Sequence, residues 1–207
     1  MSGGQLRVGV LASGAGTNLQ ALLDGVHGFE AKVVAVASDK VDAHALERAR
    51  AAGVPASVFP REAFPDRAAR DAAIADWLDA QGAQLVVLAG YMAILDGAFI
   101  ARFRDRIINV HPSLLPAFPG IAAVQQALDY GVKVFGVTVH FVDEGVDTGA
   151  IILQRAIELP SATDATAILD ALRPLEHALL PEAVRLFAAG RIHRDPSHAR
   201  RVIVEDV

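Results

Sequence analysis

Cysteine is absent from all 207 residues. That excludes disulfides and thiolate chemistry, and it fits a reducing compartment. Long apolar runs are missing too. Hydrophobic residues make up 53% of the chain, yet none of their runs persists for the roughly 18 residues a membrane span requires. The opening, MSGGQLRVGV, lacks the basic segment, apolar stretch and cleavage site of a secretory signal, so a cytoplasmic location is expected. Nor is there an excess of positive charge. Nineteen Lys and Arg against 24 Asp and Glu leave a net charge of −5, which argues against broad nucleic-acid binding, since that draws on neutralising several phosphates. No repeat, linker or low-complexity segment interrupts the chain, whose length allows one sizeable core.

What is present alternates. Apolar runs at 6–13, 31–39 and 83–90, with a short one at 56–60, are separated by a stretch at 14–26 that turns into a helix and by helical spacing at 43–53 and 66–82. A short helix near 96–103 leads into a fifth strand, RIINVH. Near-continuous apolar strands alternating with helices predict an α/β fold, with a mostly parallel sheet flanked by helices on both faces. After Gly120 the pattern changes. A helix closed by Gly131 precedes two long strands, KVFGVTVHFVD and GAIILQRAIEL, which read as an antiparallel pair. A helical stretch over 164–190 is expected to bend or break at Pro174 and Pro181, and the tail after residue 190 to add an edge hairpin.

Three segments carry chemistry. In INVHPSLLPAFPG (108–120), Asn109 and His111 stand two apart at a strand end, so both project to one side. A neutral amide donor beside a titrating imidazole suits a reacting carbonyl, and ligands of open α/β sheets sit at the carboxyl ends of strands. In LASGAGTNL (11–19), a strand feeds glycines into a helix start, which suits a phosphate. It is neither a Walker A loop nor a full G-x-G-x-x-G, because Leu19 stands where the third glycine belongs and only Asp39 closes the second strand. An ordinary turn with Thr17 or Asn18 as helix cap is the bland alternative. In HFVDEGVDTG (140–149), the acidic residues lack calcium-loop spacing, and one carboxylate is placed to reach His111 and orient it. His140 with His111 would make half a zinc site, but no third or fourth ligand stands at sensible spacing, so no metal is expected.

The segments SGAGTNLQAL, VVLAGYMAIL, INVHPSLLPAFPG, GVTVHFVDEGVDTGAIILQ and LEHALLPEAVRLFAAGRI, in this order, closely resemble the folate-dependent phosphoribosylglycinamide formyltransferases, over about residues 6–193. The resemblance implies a Rossmann-like single domain over 1–207, with a nucleotide-binding half to about residue 105 and a folate-binding, catalytic half beyond. It implies formyl transfer from 10-formyltetrahydrofolate, as co-substrate, to the amine of glycinamide ribonucleotide in purine synthesis. Asn109, His111 and Asp147 match the catalytic trio. Gly16, Thr17 and Asn18 match the phosphate end of the ribonucleotide site, and Glu176 with Arg173 its ribose end. Met92, Ala93, Ile94 and Leu95, together with Asn109 and the run Val142, Asp143, Glu144, Gly145, Val146 and Asp147, match the pterin pocket, and Arg67 a folate-contacting position. The expected partners are small molecules, with neither nucleic acid nor membrane, and the chain is expected to be a monomer or homodimer.

Two departures from the family pattern stand out. Ala93 replaces an arginine that would meet the folate tail, and Ala122 and Val124 occupy positions where the family commonly carries histidine. Formyltetrahydrofolate hydrolase shares the trio but usually adds an N-terminal regulatory domain and lacks this glycine-rich loop. Methionyl-tRNA formyltransferase would need an RNA-binding domain after residue 207, and an inactive nucleotide-binding module would not need the intact trio.

Overall fold

A computed structural model describes residues 4–198 and 200–205. Residues 1–3 of the opening and positions 199, 206 and 207 of the tail lie outside that description. The described chain forms two compact units that divide between Ile108 and Asn109.

In the first unit, β1 (Leu6–Leu11), β2 (Ala31–Ser38) and β4 (Leu85–Leu88) are the apolar runs. Val8, Val10, Val36 and Val87 among them are completely buried, as strands covered on both faces must be. β1 pairs in parallel with both β2 and β4, and β3 (Ala56–Val58) pairs in parallel with β2. The order β3-β2-β1-β4 reverses direction at β1, and the crevice where ligands of such sheets bind opens at the carboxyl ends of β1 and β4.

Helix α1 (Thr17–Gly25) follows β1, and α2 (His44–Ala51) follows β2. Helix α3 (Arg67–Ala80) starts at Asp66, whose carboxylate accepts the Ala69 amide hydrogen at 2.8 Å. Helix α4 (Gly97–Arg102) starts at Asp96, which accepts from the Ala98 amide at 2.8 Å. Each cap satisfies a backbone donor that has no partner inside its helix. The bland expectation for α1 is not met. Its cap is Gly16, left-handed at φ 70° and ψ 27°, and neither Thr17 nor Asn18 fills that role.

Strand β5 (Ile107–His111) runs across the division between the units. In the second unit, β6 (Val134–Phe141) and β7 (Ile151–Glu158) pair antiparallel, from Val134 opposite Glu158 to His140 opposite Ile151. The whole sheet has seven strands in the order β3-β2-β1-β4-β5-β6-β7, mostly parallel with an antiparallel end.

Helix α5 (Ala123–Tyr130) closes at Gly131, and α6 spans Ala165–Ala188 as one helix through Pro174 and Pro181. Of the bend or break expected at these prolines, the break does not occur. An interior proline costs a helix about 3 kcal/mol, and here Ile168 and Leu172 before the prolines, with Leu179, Leu180, Ala183 and Val184 around and after them, are all buried. Six buried side chains on both sides of the prolines outweigh that cost. The tail forms the expected hairpin, with β8 (Ile192–Arg194) and β9 (Val202–Val204) paired antiparallel, but as a two-stranded sheet of its own rather than an edge of the main one.

Candidate active site

Asn109 and His111 occupy alternate positions of β5, and both side chains reach Asp147, in the loop between β6 and β7. His111 Nδ1 lies 3.3 Å from Asp147 Oδ2, and His111 Nε2 lies 3.0 Å from the carbonyl oxygen of Phe118. Both ring nitrogens therefore face oxygen acceptors, and only a ring carrying both protons can donate to both. Asn109 Nδ2 is 3.5 Å from Asp147 Oδ1 and 3.3 Å from His140 Nε2.

His140 joins them, a residue whose sequence position suggests only half of a zinc site. Its Nδ1 donates to its neighbour's carbonyl, Phe141 O, at 2.8 Å, and its Nε2 lies 3.5 Å from Asp147 Oδ1. With a proton on Nε2 the ring donates to Asp147, and without one it accepts from the Asn109 amide. No group of three or more His, Cys, Asp or Glu among the described residues is arranged to hold a metal ion. The signal was available in the sequence: Thr138 and His140 alternate on β6 as Asn109 and His111 do on β5.

Asp147 is 14% exposed. Burial pushes its carboxyl up. The hydrogen bond from His140, the Gly120 amide at 2.7 Å and the fields of His111 and His140 together outweigh burial and hold it at about 2. A fixed anion therefore stands beside two imidazoles at neutral pH.

The stiff loop after β5 is anchored from below. Thr138 Oγ1 donates to Ser113 O at 2.7 Å and accepts the Leu115 amide at 3.1 Å. Gln154 Nε2 reaches Leu115 O and Thr138 Oγ1, each at 2.9 Å. Leu114 packs so closely on β6 that a Cβ on Gly136 would sit 2.4 Å from its Cδ2. These ties hold the stretch that carries the Phe118 carbonyl to His111. Phe118 and Asp147 both adopt left-handed backbone, at φ 53° and 52°, a geometry that costs about 1–3 kcal/mol for such residues and clusters at functional sites.

In the first unit, the 13–18 loop is gripped by α2. Ala45 N donates to Gly14 O at 3.1 Å, and Arg48 Nε donates to Ala15 O at 2.8 Å. A Cβ on Gly16 would lie 2.7 Å from Ala45 Cα, so this glycine serves helix packing as well as any ligand. Asn18 is buried and Thr17 half-buried. After β4, Met92 and Ile94 are 73% and 63% exposed while Leu95 is buried. Arg67 is exposed at the start of α3.

The remaining expected residues lie in the second unit. Asp143 accepts from Gly145 N and Thr148 Oγ1, at 3.1 and 2.6 Å, closing the 142–148 turn, with Glu144 and Val146 exposed on it and Val142 half-buried. On α6, Arg173 pairs with Asp170 at 2.9 Å, and Glu176 is half-buried.

Residues 6–184 match the formyl transferase family. The chain belongs to that family. Among formyl transferase relatives, it is 40% identical over 188 residues to phosphoribosylglycinamide formyltransferase of Haemophilus influenzae, covering 90% of this chain and 89% of that protein. It is 43% identical over 192 residues to the trifunctional purine biosynthetic protein adenosine-3 of Drosophila pseudoobscura pseudoobscura, covering 91% of this chain. The chain spans only 14% of the length of that trifunctional relative. The crystal structure of glycinamide ribonucleotide transformylase 1 from Symbiobacterium toebii has a TM-score of 0.94 to this fold at 48% identity, with 100% of each chain covered.

Proposed function

We propose that this formyl transferase moves the formyl group of 10-formyltetrahydrofolate to the amine of glycinamide ribonucleotide, in purine synthesis. The convergence of Asn109, His111 and His140 on the carboxylate of Asp147 carries the reading. The substrate amine attacks the formyl carbon directly, the C=O electrons move onto oxygen, and a tetrahedral oxyanion forms. Asn109 donates to that oxygen through its amide. His111 donates through Nε2, exchanging the Phe118 carbonyl for the oxyanion, while Asp147 keeps Nδ1 protonated and the ring oriented. Donors aimed at developing negative charge are the largest kind of catalytic contribution. The intermediate collapses by breaking the bond to the folate nitrogen. The proton lost by the attacking amine ends on that nitrogen, with Asp147 and His111 aiding its passage. No serine or cysteine nucleophile takes part.

In this reading Gly16, Thr17 and Asn18 receive the ribonucleotide phosphate at the start of α1, and Glu176 with Arg173 hold the ribose hydroxyls. Met92 to Leu95 and Val142 to Asp147 flank the pterin, and Arg67 meets the folate tail. The relatives' names support glycinamide ribonucleotide as the acceptor of a formyl group, and the exposed Met92 and Ile94 support the folate wall. The test is mass spectrometry of glycinamide ribonucleotide incubated with the protein and 10-formyltetrahydrofolate. The expected product has gained one CO on its amine. A ribonucleotide recovered unchanged from the folded protein contradicts the assignment.

A further inference from the structure

The segment that carries Met92 and Ile94 leaves the end of β4 held by side chains at both ends. Met92 N donates to Ser13 Oγ at 2.9 Å, and Asp96 N donates to Asp71 Oδ2 at 2.6 Å. Asp71 is itself fixed, because its Oδ1 accepts from Arg70 Nε and Nη2 at 2.8 and 2.7 Å and both residues are buried. Ser13 belongs to the opposite wall of the β1/β4 crevice, as the residue that opens the glycine-rich loop. Its amide donates to Gly90 O at 3.1 Å, and its hydroxyl donates to Asp39 Oδ1 at 2.5 Å.

A serine hydroxyl has one hydrogen and two lone pairs. Asp39 takes the hydrogen, so a lone pair is left facing the Met92 amide. The carboxylate at the end of β2, which dinucleotide-binding folds turn towards a ribose, here orients a neighbouring side chain. We propose that Ser13, oriented by Asp39, is a positioning residue: it fixes the Met92–Leu95 wall to the phosphate-side loop and so sets folate affinity without touching folate. The identity of the ligand rests on the function proposed above, whereas the hydrogen bonds do not.

The test compares Ser13→Ala, Asp39→Leu and Asp39→Asn with the wild-type protein. Ser13→Ala should raise the KM for 10-formyltetrahydrofolate about five- to tenfold, the scale of one lost hydrogen bond. The KM for the ribonucleotide and kcat should stay within about twofold, since uniform binding is what is lost. Asp39→Leu should reproduce this effect. Asp39→Asn retains an acceptor oxygen and should stay near wild type, a rescue that general destabilisation would not give. In ligand-free protein, hydrogen exchange at the Met92 amide should quicken at least about tenfold in Ser13→Ala.

A rise in ribonucleotide KM with folate KM unchanged would make Ser13 a phosphate ligand and overturn the proposal. So would an unchanged Met92 exchange rate in folded Ser13→Ala. A wild-type protein without transfer activity would overturn the proposed function separately, with the exchange comparison still deciding the role of Ser13.

Discussion

Asp147 combines an acidic carboxyl, a left-handed backbone and four polar neighbours in one residue. Replacing it by asparagine keeps the size and removes the charge that faces His111 and His140. Asp147→Asn should cut turnover by at least about tenfold, the low end for losing a positioned acid–base partner, with circular dichroism confirming the fold. Its folded carboxyl, at about 2, lies below the unfolded aspartate value of about 3.9. The carboxylate therefore stabilises the protein fully above about pH 4, and that contribution, about 2 kcal/mol, is lost as pH falls towards 2. Denaturant unfolding between pH 5 and pH 2 should show a smaller acid loss in Asp147→Asn than in wild type; equal losses would mean that Asp147 titrates normally. The sequence brought Asn109, His111 and the loop carboxylates into view through alternation and a strand end. His140 was legible only as a histidine on a strand, because its role depends on which way the β6–β7 turn carries Asp147.

At the scale of elements, most strands and helices could be read from apolar periodicity, and the exceptions have physical causes. Helix α6 survives two prolines because burial on both sides of them outweighs two lost hydrogen bonds. The cap of α1 is Gly16 rather than Thr17, because the loop must pass within contact distance of Ala45 in a left-handed turn. No local pattern announces that contact. Gly16→Ala should lower stability by about 2 kcal/mol, from strain and overpacking together, before any effect on phosphate binding; an unchanged unfolding midpoint would contradict the packing. Ala122 presents the opposite case. It caps α5 at φ 56° with no side-chain hydrogen bond, a conformation that favours glycine. Ala122→Gly should raise stability by roughly 0.5–1 kcal/mol in urea unfolding, and a fall would show that the methyl group packs usefully there.

For the molecule as a whole, the order of chemistry-bearing segments is more informative than any one of them. The glycine-rich loop alone is compatible with many ligands, and a histidine at a strand end is common. The family match over residues 6–184 and the fold shared with glycinamide ribonucleotide transformylase place both segments within one formyl transferase chain. On the folate side of the proposed site, position 93 is alanine where the family resemblance implies arginine. Ala93 offers nothing to the tail carboxylates, which leaves exposed Arg67 as the basic partner in the proposed site. An exposed charge pair is worth about 0–1 kcal/mol, so Ala93→Arg should lower the folate KM several-fold at most, with more salt sensitivity and nearly unchanged kcat. An unchanged KM at low salt would mean that the tail points away from position 93.

Transfer of the formyl group to an amine rather than to water is checked by measuring tetrahydrofolate release from 10-formyltetrahydrofolate, with and without glycinamide ribonucleotide. Rapid release is expected only when the ribonucleotide is present, equimolar with formylated product and sharply reduced in Asp147→Asn. Release at the same rate without the ribonucleotide, accompanied by free formate, would contradict it and make the protein a hydrolase.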